Sequence, residues 1–273
     1  MQLEDHAGDI LRKARTMNHL SAGDLATTAA LTEENLAAFE TTGAGQANLN
    51  LQKLARAAGL NPQKFEAIAR GWLPEQKAVS RWRELRMFST REAEMTVNCF
   101  LIWDVATREA ALFDTGLDAQ PVLDLISREK LVLRHIFITH THWDHVEALP
   151  AFRAAWPEAP LHSGSPSAPA RQRLQTGDVF AVGGLHVAHR QTPGHAEDGV
   201  TYLIHDWPEN APQVAVVGDA IFAGSIGRGN QSWELARQKV REHILSLPPD
   251  TLVCPGHGPL TTVGEEREHN PFF

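Results

Sequence analysis

The chain changes texture once along its length. Over residues 1–72 apolar positions recur at helical spacing in short bursts rich in Ala and Leu. Ile10 to Arg15 opens an amphipathic helix. Ser21 caps a second, with Asp24 at the capping-box position in place of the usual Glu. Thr32 caps a third, whose Leu36 and Phe39 lie three apart on one face. Leu51, Leu54, Ala55 and Ala58 mark a fourth, and Gly59 stops it. Asn61 followed by Pro62 starts a fifth through Phe65, Ile68 and Ala69. Five short helices joined by tight turns predict a compact bundle. Gly71, Pro74 and the polar residues after them break the pattern, giving a linker over 73–79. From 80 to 273 the pattern becomes one of strands. After Trp82, Leu85 and Met87, apolar runs near 98–103, 110–113, 131–138, 185–188, 200–204, 214–217 and 251–254 alternate with a few helices. That order predicts an α/β domain behind a small all-α one.

Candidate metal ligands stand where several of these strand runs end. The run 131–138 leads into His140-Thr141-His142-Trp143-Asp144-His145, four ligand-type side chains within six residues. His195 follows Thr192-Pro193-Gly194, Asp219 follows the run 214–217, and His257 follows 251–254. Loops at strand ends are where α/β sheets usually keep their sites. Imidazole and carboxylate suit zinc, iron and manganese, and a hydrolytic ion must keep a position open for water. Seven such residues exceed the needs of one tetrahedral ion but divide well between two.

The pattern His-x-His-x-Asp-His, with the later His195, Asp219 and His257, resembles the metallo-β-lactamase fold hydrolases over residues 80–273. Asn98 to Ile102 followed by Leu112 to Gly116 is similar to that family's opening hairpin. Gly218-Asp219, Gly224 to Arg228, and Pro255 to Leu260 through Pro271 resemble its glyoxalase II-like branch. The resemblance implies an αββα sandwich of two mixed sheets with every ligand loop along one edge. It implies one divalent ion on His140, His142 and His195, and a second on Asp144, His145 and His257, with Asp219 bridging. Zinc is the first expectation for both, iron or manganese the alternatives. Asp114 is implied as a carboxylate that supports the metal loop without touching metal, and it also reads as the Asp of a plain Asp-Thr-Gly turn. The implied reaction is hydrolysis of a small-molecule thioester by a metal-bridging hydroxide that Asp144 orients. A sister activity, oxygenation of persulfides by a single iron, would use His140, His195 and Asp219.

Some positions depart from the branch. Ala196-Glu197-Asp198-Gly199 stands where relatives carry Thr-Pro-Gly, so that loop is expected to be reshaped. The chain reaches Phe273 soon after His257 and holds a single tyrosine, Tyr202, which argues against a tyrosine-lined glutathione site at its end.

The remaining composition narrows the partners. A formal charge of −8 disfavours general affinity for nucleic acid or anionic membrane. Cys99 and Cys254 are the only cysteines and imply no disulfide framework. The N-terminal sequence lacks signal-peptide character and no apolar run is long enough to span a membrane, so a cytoplasmic location is expected. Residues 8–70 resemble the Cro/repressor-type helix-turn-helix domain in helix spacing and small residues such as Ala26 and Ala29. In such a domain the third helix reads the major groove. Here that helix carries Glu33, Glu34 and Glu40, and no Lys or Arg occurs from Ser21 to Asn50. Phosphate contact needs cations, so the expected role is docking on the catalytic domain, a homodimer contact, or a lid. A ligand-sensing DNA-binding regulator is the opposing expectation.

Overall fold

The computed structural model describes residues 2–44, 49–75, 81–93 and 95–273. The expected linker is therefore described only through Glu75, and 76–79 lie outside the described residues. The helical region holds α1 (Ala7–Met17), α2 (Ala22–Ala29), α3 (Glu33–Thr42), α4 (Leu51–Ala57) and α5 (Pro62–Ala69). His6, Ser21, Thr32, Asn50 and Asn61 each accept a backbone N–H from the helix they precede. α1 thus begins before the expected Ile10, because the His6 ring caps it.

The strands form two sheets. The first runs in order β1 (Leu85–Glu92), β2 (Met95–Trp103), β3 (Glu109–Phe113), β4 (Val132–Ile138), β5 (Leu161–Ser163). The second contains β6 (Val179–Val182), β7 (Leu185–Gln191), β8 (Val200–His205), β9 (Val214–Gly218), β12 (Leu252–Pro255) and β13 (Thr261–Thr262), in spatial order β13-β12-β9-β8-β7-β6. A small hairpin, β10 (Ile221–Phe222) with β11 (Ser225–Ile226), stands apart. The helices of this part are α6 (Gln120–Glu129), α7 (Trp143–Val146), α8 (Leu149–Ala155), α9 (Trp233–His243) and α10 (Val263–His269).

Side-chain alternation along the strands builds the layers. Phe100, Ile102 and Phe113 face Val187, Tyr202 and Val216 across the space between the sheets. Leu101 and Leu112, pointing the other way, meet Val122, Ile126 and Phe152 of α6 and α8. On the far sheet Ala215, Val217 and Val253 face Val240 and Val263 of α9 and α10. The result is the αββα sandwich of the metallo-β-lactamase fold, with a helical region ahead of it.

The bundle does not stand free. Leu36, Phe39, Phe65 and Ile68 belong to the same apolar cluster as Ile221, Val240 and Val263. Asn61 N–H donates to Pro271 O at 2.8 Å, and Lys64 Nζ donates to Phe273 O at 3.0 Å. Trp72 stacks on His269 at 4.7 Å between ring centres. Trp82 is sunk between the two sheets, with its indole N–H on Pro212 O at 2.7 Å. Trp143 is exposed. Among the described residues no helix is long and apolar enough to cross a membrane.

Candidate metal centre

Parallel pairing sets the location. β3 runs parallel to β4, and β9 parallel to β12. Their C-terminal ends therefore lie side by side, which brings Asp114 to the His140 loop and Asp219 to His257. His195 reaches the same edge on the turn between β7 and β8. Two glycines permit the close approach. Gly218 has φ +51, and a β-carbon there would strike the Thr139 hydroxyl. One on Gly256 would strike Asp219 Oδ1 and lie 2.6 Å from the His145 ring.

Local hydrogen bonds then shape the loops. Asp114, almost fully buried and at φ +55, accepts from the Thr139 N–H and hydroxyl, each at 2.7 Å, and holds His145 Nδ1 at 2.8 Å. Thr115 N–H donates to His145 O at 2.9 Å, and the short helix α7 presents Asp144 and His145 inward. Asp198 accepts from Thr141 N–H at 3.0 Å. It thereby ties the loop that carries His195 to the loop that carries His140 and His142. The sequence pointed to a reshaped loop here without assigning this residue a role.

All seven expected ligand residues come together. His142 Nδ1 lies 3.0 Å from His140 Nε2 and 3.1 Å from His195 Nε2. His257 Nε2 lies 3.3 Å from Asp144 Oδ2 and 3.4 Å from Asp219 Oδ2. Asp219 sits between the groups, with Oδ1 at 3.3 Å from His145 Nε2 and Oδ2 at 3.4 Å from His195 Nε2. Their ligand atoms fall into close sets: His140, His142 and His195; Asp144, His145 and His257; and His140, His145 and Asp219. Four rings are aimed by their outer nitrogens. His145 Nδ1 is on Asp114, His195 Nδ1 on Arg228 O at 2.9 Å, His257 Nδ1 on Thr96 O at 2.6 Å, and His140 Nδ1 on the Thr139 hydroxyl at 3.1 Å. A ring that donates outward keeps its inner lone pair for a metal. The backbone partners Thr96 and Arg228 carry no side-chain signal and were invisible to sequence reasoning.

The electrostatics describe a centre short of positive charge. Burial would raise the Asp219 carboxyl, but His145 and then His257 outweigh it and hold it well below the ordinary carboxylate range. Burial likewise opposes charge on His145 and His257. Even so, Asp114 and Asp219 push the first up to about 10, and Asp144 and Asp219 push the second up to about 11. His140 and His195 are pushed down, chiefly by burial. The carboxylates thus draw protons onto neighbouring imidazoles. His145 Nε2 and Asp219 Oδ1 are buried 3.3 Å apart, yet among the described residues neither makes a well-aligned hydrogen bond, to the other or elsewhere. Such orphans are costly, and divalent cations fit this donor set by satisfying both atoms and the charge.

Comparison with known proteins agrees with this geometry. Residues 94–257 match the model of the metallo-beta-lactamase superfamily. Hydroxyacylglutathione hydrolase GloC of Haemophilus influenzae is 30% identical over 201 residues, covering 64% of this chain and 92% of that protein. The crystal structure of ETHE1 from Myxococcus xanthus superposes with a TM-score of 0.59 at 30% identity, over 68% of this chain and 83% of its own. The B3 metallo-beta-lactamase BLEG-1 superposes at 0.58 and 30% identity, over 68% of this chain and 99% of its own. Fold, strand-end ligand loops and family model converge, and the chain belongs to the metallo-β-lactamase superfamily, whose enzymes are metal-dependent hydrolases.

Proposed function

We propose that this chain is a dinuclear metallohydrolase of thioesters, in the glyoxalase II-like branch. The reading rests on one observation above others: two three-residue ligand sets share an edge, with Asp219 between them and its Oδ1 unpartnered. The similarity to a hydroxyacylglutathione hydrolase supports the thioester class. His140, His142 and His195 would hold one divalent ion, and Asp144, His145 and His257 the other, with Asp219 contributing to both. When bound, such cations supply Lewis acidity, polarising a carbonyl and making water acidic enough to react near neutral pH.

The protein's own groups do the positioning. Asp144, buried and 3.3 Å from His257, would orient the attacking water beside the second ligand set. Asp114 fixes the His145 ring and, through Thr139, the loop that carries His140. Asp198 keeps the His140 and His195 loops at a set distance. A second reading is a mononuclear iron dioxygenase of persulfides. It draws on the two-histidine, one-carboxylate set of His140, His195 and Asp219, in which Asp219 Oδ2 is 4.0 and 3.4 Å from the imidazole nitrogens.

Metal analysis of protein purified without chelator, paired with thioester and persulfide turnover, separates the two. The expected result is close to two ions per chain, zinc first, with thioester hydrolysis. One tightly held iron with persulfide turnover overturns the hydrolase reading.

A further inference from the structure

The segment ahead of α1 belongs to the helical region by sequence, yet it lies against the metal centre. It is tied down on both flanks. The Asp5 carboxylate pairs with the buried Lys13 ammonium and accepts the Ser225 hydroxyl at 2.5 Å. Lys13 also donates to Ile226 O at 2.6 Å and lies over the Phe222 ring. Leu3 packs on the apolar cluster shared by the bundle and the sandwich. Between these anchors, Glu4 rests on the residue that follows His257. A β-carbon on Gly258 would lie 3.0 Å from the Glu4 nitrogen and 3.2 Å from its Cβ, and Gly258 has φ +72.

A cavity of about 400 Å³ opens between this segment and the β1–β2 hairpin. Thr96, whose carbonyl holds His257 Nδ1, and Asn98, whose amide donates to Gly258 O at 2.9 Å, line it beside Gly258. It is thus next to the second ligand set. Leu3, Met87 and Met95 add apolar, adaptable surface. Glu4 is the one charged side chain among the described lining residues. Its carboxyl has no hydrogen-bond or ion-pair partner among the described residues; burial pushes it above the ordinary carboxylate range, and the nearby His257 acts in the opposite direction. A carboxylate with no cation paired to it attracts an ammonium group and repels a carboxylate.

We propose that Gln2–Asp5 forms a wall of the substrate pocket and that Glu4 sets its charge preference. Thioesters carrying an ammonium group away from the reacting carbonyl are favoured over those carrying a carboxylate. The inference rests on the thioesterase reading and names the substrate class within it.

The test uses the metal-loaded full chain with acetylthiocholine and S-acetyl-3-mercaptopropionate, which share an acyl group and differ in charge. The cationic ester is expected to show a kcat/KM about fivefold higher, the scale of a partly exposed charge pair, and the ratio should shrink in high salt. Glu4→Gln should bring the ratio towards one and Glu4→Lys should invert it. Asp250→Lys, the same charge change at a distant exposed position, should leave the ratio where it was. Equal ratios in wild type and Glu4→Lys overturn the proposal. Calorimetric binding of the matching thioethers, S-propylthiocholine and S-propyl-3-mercaptopropionate, keeps the two readings apart. A Glu4-dependent binding preference without thioester turnover supports the pocket and sinks the thioesterase. Turnover with no Glu4-dependent preference does the reverse.

Discussion

The rim of the sandwich and the helical bundle both bury charged groups, but they leave them in different states. In the bundle Arg15 grips Glu40 through two nitrogens, at 2.7 and 2.8 Å, and the surrounding core is Leu, Ile, Phe and Ala. At the rim three carboxylates crowd five imidazoles, and two inward atoms remain without a partner. Within the bundle this buried pair is satisfied completely, although His189 Nδ1, Trp233 Nε1 and Arg237 Nε in the sandwich also lack a partner among the described residues. A site keeps some unsatisfied for a ligand that the chain does not contain. The two regions should therefore fail in different ways when altered.

Asp144→Ala makes the sharpest cut. Activity should fall by at least about a hundredfold, the scale of a misplaced nucleophile, because the variant loses a second-site ligand and the group that orients the attacking water. Unfolding by urea should be nearly unchanged in the metal-free protein. Near-normal thioesterase activity in this variant would remove Asp144 from the mechanism. Phe65→Ala inverts the pattern. Phe65 is fully buried and meets Phe39 edge to face, at 6.4 Å between ring centres. Its truncation should cost about 3–5 kcal/mol of stability while metal content per chain is kept. A loss under about 1 kcal/mol in the same urea titration would mean that the bundle is only loosely joined to the sandwich.

Glu266 probes the seam between the regions. It is fully buried on α10 and accepts from Gly224 N–H, the Thr261 hydroxyl and the Asn270 amide. Gly224 in turn lies against Ile68 and Trp72. Burial pushes the Glu266 carboxyl up from 4.5 to about 7, against the pull of those donors. Between these two values the folded chain keeps a proton that the unfolded chain has released. Stability should therefore fall as pH rises through that window, by roughly 3 kcal/mol, and level off above it. Equilibrium unfolding at several pH values, compared with Glu266→Gln, reads the difference. Parallel curves for the two proteins would refute the assignment.

The smallest expected effect concerns nucleic acid. Selection from genomic fragments at about 150 mM salt should enrich no sequence, because the exposed face of α3 offers Glu33 and Glu34 and no cation, Glu40 being buried against Arg15. Enrichment of one palindrome at nanomolar affinity would raise the regulator above the enzyme.

The sequence alone determined the elements whose signals are local. Caps at Ser21, Thr32 and Asn61 and the long apolar runs of β2, β4, β8 and β9 are written in neighbouring residues. So is the grouping of His140, His142, Asp144 and His145, since one loop and one turn of helix hold all four. Of the strands of two to four residues, β12 was readable from its unbroken apolar run, whereas β5, β6, β10, β11 and β13 were too short to show alternation. Only the tertiary structure decided which second nitrogen partner aims each histidine, because Thr96 and Arg228 act through backbone carbonyls that any residue possesses. Only it tied Asp198 to Thr141 and seated Glu4 on Gly258, contacts between residues far apart in the chain. Such pairings depend on which strands lie parallel and where their ends meet, and no stretch of neighbouring residues encodes that.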